Sequence, residues 1–440
     1  LQRRAGNVRF RKKNLRKDFL QGDGMKKSLV ALAVGAAFVA PAAFADVTIS
    51  GAINMGIEYL NVGDASGAAK ATTNGAGLGN GGKSLSNFGI SNNYSNVTIS
   101  SVDDLGGGLK LDFAFQMQLA NDVAGGTLSN RNSHIGLVSE SWGGVWYGSN
   151  ENIYERYLYT IDPLDGAAGL GGNLQMLGTP GGAAFQNQPS PGSIPTYTFY
   201  RRDSNTIWYD SPNFNGFTFG VAYGTNDDRA SSQTNPQTWQ VGVKYAGSGL
   251  PLQLWAAYVD RKDQFGLVGY AQNAFGVNHS STGSTDTAAQ LGGAYTLGDI
   301  TLFAIYEHLQ YKLDNTAQTI LQKYKRDAYA LGLKWNLATG YVGAQWIQAL
   351  NGKCTLGAAA AGSSCSNVAG TGIDAEKTGA TMIGVGYYHN LSKQTQAYVV
   401  GSWIDNKDFG TYGTAGISNG ANFNAGSTIW GVGIGLKHSF

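Results

Sequence analysis

The chain has 440 residues, of which 14% are charged, 11% are aromatic, 64 are glycine and two are cysteine, and its formal net charge is +2. Residues 1–45 hold ten of the 31 basic and two of the 29 acidic side chains, leaving 21 against 27, a balance near −6 for the remainder. An acidic remainder lacks the electrostatic footprint of a nucleic-acid binder, and no apolar run after residue 45 approaches the roughly 18 residues of a membrane helix.

Residues 1–24 are basic, without Met and without a helical period. Gln21-Gly22-Asp23-Gly24 back-translates to codons containing AAGGAG just ahead of the Met25 codon, so this stretch is expected to be leader translated from a start set too early. Residues 25–45 carry the marks of a secretory signal: Lys26 and Lys27, an apolar stretch from Leu29 to Ala40, and Ala43-Phe44-Ala45 as the cleavage site. Residues 46–440 follow without a Pro-rich or charged linker. Export leaves two classes open, a secreted all-β protein and an outer-membrane β-barrel.

Strand-like alternation begins at once in DVTISGAINMGIEYL, where Val47, Ile49, Ile53, Met55, Ile57 and Tyr59 share one parity and Thr48, Ser50, Asn54 and Glu58 the other. LKLDFAFQMQLA repeats it, with Leu109, Leu111, Phe113, Phe115 and Met117 opposite Lys110, Asp112, Gln116 and Gln118. WQVGVKY sets Trp239, Val241 and Val243 against Gln240 and Lys244. AYALGLKW sets Tyr329, Leu331, Leu333 and Trp335 against Lys334, and WGVGIGLKHSF carries Trp430, Val432, Ile434, Leu436 and Phe440 on one side. Two segments are ambiguous: SNFGISNNYSNVTISS changes parity between Phe88 and Val97, and AYVVGSWI fits either face. The longer runs suit tilted membrane strands of about 9 to 11 residues.

Connections separate the two classes. Short turns at 103–108, 140–144, 211–216, 247–251, 298–299, 337–340 and 390–394 alternate with long polar segments near 61–85, 120–130, 151–203, 225–236, 261–287, 313–325, 351–378 and 407–427. Seven short and eight long connections join sixteen strands, the asymmetry of periplasmic turns and extracellular loops. The predicted fold is an all-β, 16-stranded antiparallel transmembrane barrel, with Glu58, Lys110, Asp112, Gln116, Lys244 and Lys334 lining its lumen. Cys354 and Cys365 lie within the seventh long loop, and an oxidising compartment favours a disulfide between them.

DDLGGGLK, RNSHIGLVSESWGGVWYG, SNTIWYDSPNFNGFTF, LSKQT and GLKHSF, in that order, resemble the turns, hairpins and terminus of the trimeric general porins of β-proteobacteria. The resemblance implies a homotrimer in the bacterial outer membrane, among lipid and lipopolysaccharide, passing small hydrophilic solutes and ions. It also implies that terminal Phe440 is the signal read by the barrel-assembly machinery, and that the third long loop folds into the lumen. On that loop, Glu155, Asp162 and Asp165 near its start and Arg156, Arg201 and Arg202 are the expected constriction residues. Asn96, Ser100, Ser149 and Asn150 stand where the family often carries wall arginines or glycine-arginine. The expected ion selectivity is therefore weak, near neutral or slightly cationic.

Other chemistry is sparse. His134, His279, His308, His389 and His438 are scattered without zinc spacing, GLGNGG at 77–82 has no flanking strand and helix for a phosphate loop, and no G-x-S-x-G elbow occurs. Ser133 and His134 are adjacent and so point to opposite faces of a strand, which rules out a dyad. No cofactor, metal or catalytic activity is expected, and no nucleic-acid partner. Two alternatives to free diffusion remain: a solute-specific channel, with Tyr154, Tyr157, Tyr159, Tyr197, Phe199 and Tyr200 stacking on sugars or aromatic acids, and a surface adhesin or barrel enzyme.

Overall fold

The computed structural model describes residues 46–71, 79–119, 128–164, 170–181, 198–225, 235–247, 249–264, 283–314, 321–357, 364–367, 374–414 and 423–440. The expected leader and signal lie outside these residues, as do Asp165, Tyr197 and His279.

The strands are β1 (Thr48–Val62), β2 (Leu85–Asn92), β3 (Asn96–Gly106), β4 (Leu109–Leu119), β5 (Leu128–Ser139) and β6 (Gly143–Glu151). They continue with β7 (Arg202–Asp210), β8 (Phe217–Gly224), β9 (Gln237–Ala246), β10 (Leu252–Lys262), β11 (Ser284–Leu297) and β12 (Ile300–Leu313). The last are β13 (Leu321–Leu337), β14 (Gly340–Ala349), β15 (Lys353–Leu356), β16 (Ala380–Asn390), β17 (Thr395–Asn406) and β18 (Thr428–Ser439).

These 18 segments fill 16 positions in one antiparallel sheet. β2 and β3 both pair with β1, one after the other, and β14 and β15 both pair with β13. The first break falls at 93–95, where Tyr94 has φ 63°, and it accounts for the parity change in the sequence: Phe88 and Ile90 are exposed before it, while Val97 and Ile99 pair with Met117 and Phe115 after it. β1 pairs with β18 from Ala52↔Ser439 to Val62↔Ile429, and Gly51 and Phe440 exchange backbone hydrogen bonds of 3.0 and 3.1 Å. Closure leaves no strand edge for lipid, which offers no hydrogen-bond partner.

All seven short turns and eight long connections fall where the spacing predicts them. Gly106, Gly107 and Gly108 take φ of +83°, +62° and +79° in the β3–β4 turn, a left-handed run that only glycine adopts without strain. The outward row is apolar as expected: Trp239, Val241 and Val243 on β9, Tyr329, Leu331 and Trp335 on β13, and Trp430, Val432, Ile434 and Leu436 on β18 are exposed. On β17 the ambiguity resolves, with Val399 and Trp403 outward and Tyr398, Val400 and Ser402 inward. Trp142, Phe214, Phe217 and Trp335 are exposed beside the short turns, where an interfacial aromatic girdle lies. The two cysteines of the seventh loop are bonded, Cα to Cα 5.8 Å.

Candidate functional site

Residues 152–201 join β6 to β7, and their described parts lie against the inner wall. The Asn152 side chain accepts from the Glu155 N–H at 2.7 Å and caps the helix Ile153–Leu158. That helix meets β9 where Gly242 leaves room for Ile153 and Tyr157. The Ile153 N–H donates to Gln240 at 2.8 Å, and Gln290 of β11 donates to the Tyr154 carbonyl at 2.6 Å. Further on, Leu164 sits over Gly384 of β16 and Leu170 over Gly431 and Gly433 of β18. A Cβ on Gly343 of β14 would stand 1.9 Å from the Pro163 carbonyl oxygen, so the wall is glycine where the loop touches it.

One buried ion pair collects the middle of this segment. Arg326 of β13 donates to Glu307 of β12 at 2.6 Å, and both side chains are fully buried. Glu307 also accepts from the Gly178 N–H at 2.6 Å and from the Tyr154 hydroxyl, while Arg326 donates to the Met176 carbonyl at 3.1 Å and to that of Thr179. Tyr324 and Tyr412 donate to the Pro180 carbonyl, each at 3.3 Å. At the far end Arg261 donates to the carbonyls of Thr198 at 2.6 Å and Phe199 at 3.3 Å.

The expected constriction residues separate. Arg156 pairs with Asp210 at 2.9 and 3.2 Å, and Arg201 pairs with Asp203 at 2.6 Å. Arg202 and Arg131 converge on one oxygen of Glu151, Arg131 at 3.6 Å. Asp162 accepts from the N–H groups of Leu164 and Asn173, both at 3.1 Å. Glu155 is only 3% exposed, and its Oε2 has no hydrogen-bond partner among the described residues. Burial, with the Glu151 charge adding to it and Arg202 and Arg131 opposing, pushes its carboxyl up to about 8.

The expected lining residues all take the inner face, but not all reach water. Glu58 is 1% exposed, covered near Leu170 and bonded to Asn93 at 3.2 Å. It is a wall-to-loop contact, because the loop covers the β1 and β18 wall at that point. Lys110 is 3.9 Å from Glu140; Asp112 accepts from Trp146 at 2.7 Å and lies 3.5 Å from His134. Gln116 accepts from Arg131 at 3.0 Å, Lys244 sits opposite Thr218 and Trp255, and Lys334 lies 4.0 Å above the Tyr341 ring. Of the aromatics weighed for stacking, Tyr154 and Phe199 are fully buried against the wall, so neither faces a solute. Ser133 pairs opposite Phe115 whereas the His134 ring lies edge-on to Trp208, on the other face.

Open space of about 630 Å³ remains between loop and wall, and its charged lining is Arg131, Glu151, Asp162, Lys334, Lys393 and Lys437, with Tyr94 and Tyr159 beside them. Arg131, Glu151, Lys393 and Lys437 are not among the predicted site residues. Parity alone points Lys437 inward beside outward Leu436. Arg131 is harder to place, because the β4–β5 register shifts between Phe115 and Met117 and disrupts the alternation there.

A closed barrel, apolar outside and charged around an inner space, is the architecture of an outer-membrane diffusion channel. The chain belongs to the Gram-negative porin family, whose model matches residues 29–408. It is similar to outer membrane porin protein 32 of Delftia acidovorans, 30% identical over 421 residues that cover 94% of this chain and 100% of that one. An outer membrane porin protein of Bordetella pertussis is 27% identical over 443 residues, with coverage of 94% and 100%. In fold the chain resembles the anion-selective porin from Comamonas acidovorans, at TM-score 0.63 and 21% identity over 90% of this chain and 100% of that one. The protein is an outer-membrane porin, a channel for passive diffusion of small hydrophilic solutes.

Proposed function

We propose that solutes pass between the described loop residues, 152–164 and 170–181, and the wall bearing Arg131, Lys334 and Lys437, and that this passage weakly prefers anions. The supporting observation is the lining of the 630 Å³ space, where four cationic side chains face two carboxylates. This departs from the near-neutral or slightly cationic expectation for a physical reason. Of the loop acids expected to favour cations, Glu155 is buried with its carboxyl pushed up to about 8, Asp162 is one of the two carboxylates already counted in the lining, and Asp165 lies outside the described residues. Arg156 and Arg201 are neutralised by Asp210 and Asp203, which leaves the lysines and Arg131 to set the sign.

Passive flux of this kind uses no nucleophile and no cofactor. Assembly as a homotrimer, contact with lipopolysaccharide and recognition of Phe440 by the barrel-assembly machinery belong to the same proposal. They draw support from family membership and from the exposed Phe440 side chain just past the strand that closes the barrel. Reversal potentials in planar bilayers under a KCl gradient test the passage. A modest anion preference that shrinks as the Debye length falls toward about 3 Å at 1 M salt is expected; a cation preference at low salt would place the loop acids in the passage after all.

A further inference from the structure

Tyr94 has an unusual backbone for its residue type. Its φ of 63° is left-handed, and the other three described non-glycine residues with positive φ are Asn205, Asn215 and Asp263. Asn and Asp tolerate that region through their short polar side chains, whereas a bulky aromatic residue there is strained. The strain has a definite result. Counted from β2, position 94 shares parity with outward Phe88 and Ile90; counted from β3, it shares parity with inner-face Asn96 and Thr98. The left-handed residue makes that switch, and it leaves the half-buried Tyr94 side chain lining the 630 Å³ passage instead of facing lipid. Polar neighbours hold the backbone there. The Asn93 N–H donates to the Asn54 carbonyl at 2.9 Å, the Asn54 N–H donates to Ser95 Oγ at 2.9 Å, and the Ser95 N–H donates to Asn92 Oδ1 at 3.2 Å. Strain kept in place by its surroundings in this way points to function.

The ring meets Arg131. The guanidinium carbon lies 5.8 Å from the centre of the Tyr94 ring, within cation–π range. The same two residues are joined a second way, through two side-chain amides. Asn96 Nδ2 donates to the Tyr94 carbonyl at 3.1 Å, Gln116 Nε2 donates to Asn96 Oδ1 at 3.3 Å, and Arg131 Nε donates to Gln116 Oε1 at 3.0 Å. Backbone and ring of Tyr94 therefore both fix the place of Arg131. Glu151 competes for the same guanidinium. Its Oε1 lies 3.6 Å from Arg131 Nη2, too long for a hydrogen bond, and takes its short contact from Arg202 instead. A guanidinium released from the ring would be free to close on Glu151, and its charge would then be paired off.

We propose that Tyr94 is a selectivity-determining positioning residue of this channel: its strained backbone brings the ring inside the barrel, and the ring holds the Arg131 guanidinium toward passing anions. The proposal rests on the anion-preferring passage described above. Loss of a cation–π contact at a partly exposed site shifts the favoured placement of the cation by roughly two- to fivefold. Reversal potentials in planar bilayers under a KCl gradient test it in the wild type, Y94N, Y94G, Y94F, R131Q and the Y94N/R131Q pair. None of the Tyr94 substitutions changes the charge of the lining. Asn and Gly both accept the left-handed backbone, so Y94N and Y94G keep the fold while removing the ring. Each should lose roughly half or more of the wild-type anion preference at low salt. Y94F should match the wild type, and Y94N should change nothing further once Arg131 is Gln. Wild-type selectivity in Y94N and Y94G overturns the proposal. So does an equal shift from Y94N with and without Arg131, which would mark a simple widening of the passage, and so does a Y94F channel that behaves like Y94N. A wild type that prefers cations would instead remove the anion-preferring passage, and the coupling of the two residues is then still read from whether Y94N alters the shift that R131Q produces.

Discussion

Glu155 shows how far one side chain's environment departs from what its letter suggests. As a loop acid it is expected to carry charge into the passage, yet burial, with the Glu151 charge adding to it, pushes its carboxyl up to about 8. A carboxyl whose folded value is raised binds its proton more tightly in the native state. Its contribution to stability is complete below the ordinary 4.5 and is lost as pH rises through about 8. Protease resistance of the loop in the wild type should therefore fall between those limits, and Glu155→Gln should flatten that fall. The same ionisation adds negative charge beside Arg131 and Arg202, so anion preference should weaken above pH 8 in the wild type but not in the variant. Matching profiles for the two proteins would show that Glu155 is ionised throughout. None of this was legible in the sequence, because charges that act on Glu155, those of Arg131 and Arg202, lie far away along the chain.

Strand facing was the most legible feature, since a period of two needs only local sequence. Val243 and Lys244 give a sharp test, being neighbours on β9 with Val243 exposed to the outside and Lys244 on the inner face. Val243→Arg should cost roughly 2 to 4 kcal/mol near the bilayer midplane and reduce assembled protein, while Lys244→Glu should assemble normally; the reverse ranking in heat-modifiability gels would invert the barrel. β12 is where period two fails. Its sequence ITLFAIYEHLQYKL is apolar on both faces because lipid covers Leu302 and Tyr306, while Phe303, Ile305 and Leu309 are buried on the inner side together with loop residues Tyr154, Met176 and Leu177. On β12 the lost alternation marks where the loop docks, and Glu307 in its midst is the anchor. Arg326→Ala leaves that carboxylate buried and unpaired, a loss of about 3 to 5 kcal/mol that should fall on the loop rather than the wall. The expected outcome is a protease-sensitive loop in an intact barrel, largely corrected in the Glu307→Met/Arg326→Met pair. Equal protease resistance in Arg326→Ala would show that the latch is not needed.

Closure of the whole molecule follows from connection lengths that the chain states openly. The count of sixteen survives two interruptions, at 93–95 and 350–352, because each falls inside one wall position and leaves the order of neighbours unchanged. The loop's path was less legible. Its glycine-for-bulk contacts at Gly343, Gly384 and Gly431 join residues that are hundreds apart in sequence, and glycine in a strand reads equally as a small lumen residue. What the assembled barrel does with that path is the central point of the proposal: the described loop residues, 152–164 and 170–181, narrow an aqueous channel. Single-channel recording in planar bilayers, comparing the wild type with a deletion of residues 163–178, addresses it directly. Discrete conductance steps from the wild type and clearly larger steps from the deletion are expected. Steps of equal size from the two proteins would mean that the passage lies elsewhere, and an absence of steps from the wild type would contradict the channel itself.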